Sequence, residues 1–232
     1  MESDQPGHAL QLTPSARSIA IGLRLEVIHV WAPRPAAEVA QLRIRSFTSG
    51  IRRAVADKNW YAALPLALAL PDICAWIQWE NGAGPNHARY SRWFEENLGH
   101  LYRRPMGKET MTFMSGIECF LLRSSFLHAG GEDIKAGKHV DASMRFVFLR
   151  PDDGWTQHHR IRTGDRLGLQ VDLFCTEMCD AVDAWATPNL LQDAEVQQRA
   201  LDLLAVRAMH EAFPSGAPMP PTEHAFHIVS TS

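Results

Sequence analysis

Apolar and polar positions alternate in two registers along this chain. From Glu38 onward the spacing is helical, with a polar interruption over residues 46–50 and a short helix predicted over 51–58. Asn59 is placed to cap a helix over residues 60–79, in which Pro65 predicts a kink or a late start. The run Asn81-Gly82-Ala83-Gly84-Pro85-Asn86 reads as a loop. A helix over 87–101 follows, with Tyr90, Trp93, Phe94 and Leu98 near one face. Arg103, Arg104 and Lys108 mark a basic loop. Ser115 then opens a helix through His128, Glu118 completes its capping box, and Gly130-Gly131 ends it. Residues 144–149 (MRFVFL) predict a strand, with residues 166–171 or the stretch before them as its hairpin partner. Helices over 173–185 and 193–212 close the series, separated by Pro188.

The N-terminal region differs. Residues 1–15 read as a flexible arm and 16–46 as an extension. Residues 18–31 form a strand-like stretch whose Arg24, Glu26 and His29 decorate the less buried side. Residues 47–212 make the main domain, with a β insertion around 144–171, and 213–232 form a Pro-rich tail. The predicted fold class is mostly α: a bundle of four to five helices with a small β element and an N-terminal strand.

Composition narrows the setting. At 232 residues and 46% hydrophobic content the chain can bury a sizeable core. Its four cysteines are too scattered for a disulfide scaffold. The first residues lack a signal-peptide pattern, and the richest apolar run is punctuated by Pro65 and Pro71. A soluble, reducing, cytoplasmic location without membrane insertion is the expectation. The net charge of −3 conceals an asymmetry: residues 1–150 carry 18 Lys+Arg against 14 Asp+Glu, and residues 151–232 carry 5 against 12. The basic bias between Arg43 and Lys108 suits either a solvated face or a nucleic-acid backbone.

Chemistry concentrates at Arg123 and His128. Arginine is a permanent cation whose planar donor fork fits phosphate or carboxylate, and histidine exchanges protons near neutrality. Five helical positions, however, separate two side chains by about 140° around the axis. One helix cannot aim both at one phosphate unless the chain leaves helical geometry at His128 or a two-fold dimer supplies the second group. Arg123 could equally pair with an acid such as Glu118 while His128 caps the helix end, and Asp72 with Arg89 could form a buried ion pair. A zinc site built from Cys175, Cys179 and His158-His159 has the wrong cysteine spacing for the usual structural sites. Nucleophile-elbow, phosphate-loop, dinucleotide and zincin motifs do not occur. No cofactor is implied.

The run Arg123-Ser124-Ser125-Phe126-Leu127-His128, on an apolar helix late in a helical series, resembles the R-x4-6-H signature of the HEPN superfamily. Segments 59–64, 70–74, 89–93, 122–130 and a helix over 174–185 also resemble a group of uncharacterised bacterial proteins. The first resemblance implies a helical bundle, a homodimer, and a metal-independent endoribonuclease of a toxin–antitoxin or defence system, with an antitoxin or another protein as partner. It implies that His128 moves the proton and that Arg123 holds the scissile phosphate, leaving a 2′,3′-cyclic phosphate. Asp72, Arg89, Tyr90, Glu118 and Ser124 would support them. Ser124 stands where that family often has Asn, Asp or His. A non-catalytic relative binding a nucleotide, an RNA or a protein partner is the alternative expectation.

Overall fold

The computed structural model describes residues 34–80, 84–135, 137–139, 143–151 and 158–208. The strand expected over 18–31, the Pro-rich tail and Trp155 lie outside them. Among the described residues the chain is mostly helical, with six helices and two small sheets.

Helix α1 (Ala36–Ala56) runs without the interruption expected at 46–50. Hydroxyl residues weaken a helix when they compete for its backbone. Here Ser46 Oγ donates to the Leu42 carbonyl at 2.9 Å, and Thr48 Oγ1 reaches Asp183 on a later helix at 3.1 Å. Thr48 is itself buried, so tertiary packing holds the helix through its polar stretch.

Helix α2 (Trp60–Trp79) begins at the expected cap, Asn59 Oδ1 accepting from the Ala62 amide at 3.2 Å. Pro65 and Pro71 both lie inside it. Each removes a backbone bond, a loss of about 3 kcal/mol in an isolated helix. Burial of Leu64, Leu68, Leu70 and Ile77, at roughly 2 kcal/mol per side chain, offsets it. Long and apolar enough by composition to cross a membrane, α2 here packs against α1 and the four later helices.

Helix α3 (Asn86–Asn97) buries Tyr90, Trp93 and Phe94. The basic segment after it is a two-stranded hairpin rather than a loop: β1 (Arg103–Met106) pairs antiparallel with β2 (Glu109–Thr112). Gly107, at φ 64°, supplies the positive-φ backbone that so tight a turn requires. Helix α4 (Gly116–Ala129) has the expected capping box, and Gly130 ends it in the left-handed conformation.

The second sheet has the order β3-β4-β6-β5. β3 (Asp133–Ile134) and β5 (Ile161–Thr163) flank β4 (Met144–Leu149) and β6 (Arg166–Gln170). β4 and β6 pair in parallel, so the expected hairpin between them does not form; β5 is the antiparallel partner of β6. Phe146, Leu167 and Leu169 are fully buried, and β6 feeds directly into α5 (Val171–Gln192). Pro188 does not break α5, because the buried Leu190 anchors the turn beyond it. α6 (Ala194–Leu201) is capped by Asp193 and stops well short of residue 212.

Gly116 sets how α3 and α4 meet. A Cβ there would lie 2.8 Å from Ser91 Cα on α3, well inside contact distance. Glu95 Oε1 accepts from the Gly116 amide at 2.7 Å across the same seam. Gly116→Ala should therefore destabilise the protein by about 1–3 kcal/mol, the range for overpacking a tight contact, read as a lower urea midpoint at unchanged slope.

Candidate functional site

Asp72 follows Pro71 on α2, Arg89 stands in the first turn of α3, and Arg123 lies on the second half of α4. Arg123 Nη2 donates to Asp72 Oδ2 at 2.6 Å, with about one fifth of each side chain exposed. The acid expected to hold Arg123, Glu118, is taken up by its own helix end: Glu118 Oε2 accepts from the Ser115 amide and hydroxyl, both at 2.7 Å. Nor is Arg89 the partner of Asp72. Among the described residues its guanidinium reaches the Gly84 carbonyl at 3.3 Å and Asn86 Oδ1 at 3.5 Å, both long.

These residues open on one cleft of about 410 Å³, lined by Asp72, Trp76, Asn86, Arg89, Arg123 and Leu203. Two guanidiniums meet one carboxylate there. Buried Nε atoms of both Arg89 and Arg123 lack an acceptor among the described residues. A buried donor without an acceptor costs roughly 1–3 kcal/mol.

His128 and Ser124 lie elsewhere. They line a separate cleft of about 360 Å³ with Ser125, Asp133 and Lys135, and His128 is exposed in the last turn of α4. The 140° separation around the helix thus persists to its end, and a single chain does not place Arg123 and His128 in one cleft. Tyr90 is not a ligand-facing group either. It is fully buried, donates to the Leu68 carbonyl at 2.9 Å and contacts Cys119 Sγ at 3.3 Å.

The cysteines belong to the core. Burial pushes the thiols of Cys119, Cys175 and Cys179 up to about 12, the wrong direction for a thiolate. Among the described residues no group of three or more His, Cys, Asp or Glu side chains is placed to hold a metal ion. His159 has a different role. Its Nδ1 accepts from the Gln170 amide at 3.1 Å, and its Nε2 lies 3.1 Å from Glu177 Oε2. The backbone donor makes Nε2 the protonated nitrogen, so the ring donates to the carboxylate. Tyr102 Oη donates to the same oxygen at 2.7 Å, and Arg160 lies 3.4 Å from Glu177 Oε1.

This cluster was not legible in the sequence, since Tyr102 and Glu177 stand 75 positions apart. Burial acts to raise the Glu177 pKa. The hydrogen bonds from His159 and Tyr102, with the charge of Arg160, outweigh it and hold the carboxyl below its ordinary 4.5.

No family model, curated protein or solved structure matches the chain.

Two outcomes follow from these contacts. Arg123→Ala strands a half-buried Asp72 and should cost about 2 kcal/mol, whereas Asp72→Ala with Arg123→Ala should cost less than the two single changes combined. A double-mutant cycle in urea checks the coupling. For Glu177 the lowered folded pKa means that the unfolded chain binds the proton more readily, so its contribution is complete above pH 4.5 and fades as pH falls through the folded value. Glu177→Gln should flatten that acid limb of the stability–pH curve.

Proposed function

We propose that this chain is a HEPN-like helical module that binds an anionic, nucleotide- or RNA-type ligand between α2, α3 and α4. Arg89 and Arg123 are the side chains that hold the anion. The observation carrying this reading is the shared cleft lined by two arginines and a single carboxylate, Asp72, which pairs with only one of them. Arg123 is already oriented by Asp72, so its remaining donors are fixed before a ligand arrives. Arg89 has no carboxylate partner among the described residues and is the freer of the two. Trp76 lines the same cleft, and aromatic side chains in such clefts accept a stacked base. The HEPN-like part of the reading rests on the Arg123–His128 run and its place on a bundle helix.

Ribonuclease chemistry is the second reading, and it requires two copies of the chain. The partner subunit's His128 would have to approach Arg123 across a two-fold axis and take the 2′-hydroxyl proton as the 2′-oxygen bonds to phosphorus, the P–O5′ bond breaks and the departing 5′-oxygen takes up a proton, leaving a cyclic phosphate. Exposure of both Leu127 and His128 at the end of α4 favours it. A cytoplasmic toxin–antitoxin or defence setting, with a protein partner, belongs to this second reading.

One experiment separates them. Fluorescence anisotropy with labelled single-stranded RNA, and calorimetry with AMP, should show binding that Arg89→Gln weakens at least tenfold and that His128→Ala leaves unchanged. The same RNA should stay intact in EDTA. Cleavage to cyclic phosphate ends, lost in His128→Ala, would install the ribonuclease instead, and equal binding by wild type and Arg89→Gln would sink the module.

A further inference from the structure

A second group of cations lies beyond α3, outside the Arg89–Arg123 cleft. The β1–β2 hairpin carries Arg103 and Arg104, in register with Thr112 and Met111. Arg162 Nη1 donates to the Thr112 carbonyl at 3.0 Å and ties β5 to the hairpin. Between these pieces lies a cleft of about 330 Å³, lined by Leu101, Arg103, Arg104, Phe113, His159 and Arg160.

The charges there differ in how far they are already engaged. Arg103 is paired with Glu95 from α3. Arg160 is paired with Glu177 and also donates to the Leu101 carbonyl. Both ring nitrogens of His159 are taken, one by the Gln170 amide and one by Glu177, so this histidine is not a free base. The Arg104 guanidinium makes no ion pair or hydrogen bond among the described residues. Three guanidiniums therefore stand against two carboxylates, and both carboxylates are spoken for. The backbone of Arg160 sits at φ 59°, a region that non-glycine residues occupy only where their surroundings hold them. Its contacts to Glu177 and Leu101 do so and hold its guanidinium at the cleft that Arg104 also lines.

We propose that this cleft is a phosphate site for a phosphate monoester or free orthophosphate, with Arg104 as the principal fork and Arg160, which lines the same cleft, as the second. Guanidinium donors match phosphate oxygens in pairs. Guanidiniums brought to one cleft by two separate elements offer several donors to a single anion, and the three terminal oxygens of a monoester accept more of them than the two free oxygens of a diester. The site works by binding alone, since its only imidazole is committed. It is independent of the Arg89–Arg123 cleft.

The test is an NMR titration of the folded full chain with inorganic phosphate, with single-stranded RNA as a parallel arm. Saturable shifts are expected at the amides of Arg104, Phe113 and Arg160. Arg104→Gln should weaken that site at least tenfold, Arg104→Lys should weaken it less, and Arg89→Gln should leave it unchanged. Shifts confined to residues around Arg89 and Arg123 would overturn this site while supporting the other cleft. An unaltered titration in Arg104→Gln would also overturn it. RNA binding these amides more tightly than phosphate would replace the monoester with a diester backbone.

Discussion

Everything that positions the candidate site depends on how closely α3 and α4 approach at their shared end. Gly116 is the first residue of α4, and it lies against the Ser91 backbone with no room for a side chain. Glu95 fastens the same junction through the Gly116 amide, one of the donors that a helix start leaves unpaired. The Ser115–Glu118 box satisfies others. With that end pinned, α4 leaves α3 at a set angle and carries Arg123 to Asp72 on α2. Glu118 is spent on the cap and stands five positions, about 140° around the helix, from Arg123, and Asp72 is the acid that Arg123 pairs with.

That pair is worth more as an orienting device than as a source of stability. Taking a carboxylate and a guanidinium partly out of water costs about what their attraction returns. What it supplies is direction: Arg123 is immobilised with part of its donor set unused, next to an Arg89 that has only long contacts of its own. The opposite design appears around Glu177, whose oxygens are saturated by His159, Tyr102 and Arg160. One carboxylate leaves cations available, and the other consumes the groups around it. Recognition and structural locking are separated in this way by the balance of donors to acceptors in each cleft.

Much of the helical framework was legible in the sequence because its signals are local. Asn59, the Ser115–Glu118 box and Gly130 act within one turn of their own backbone, and each occurs where its chemistry predicts. Breakers were less reliable guides. Pro65, Pro71, Pro188 and the hydroxyl-rich stretch of α1 all stay inside helices, because burial of neighbouring side chains outweighs the loss of single backbone bonds. The hairpin at Arg103–Thr112 was read as a loop because its charges masked the Gly107 turn signal.

The sequence by itself determined helix starts, the apolar stripes and the angular separation of Arg123 from His128, which follows from helix geometry alone. Only the tertiary structure decided which acid meets Arg123, that β4 and β6 run parallel, and that Tyr102, His159 and Glu177 converge. Those outcomes depend on contacts between residues dozens of positions apart. Such contacts are selected by how whole helices and strands pack, and no short stretch of chain carries that information.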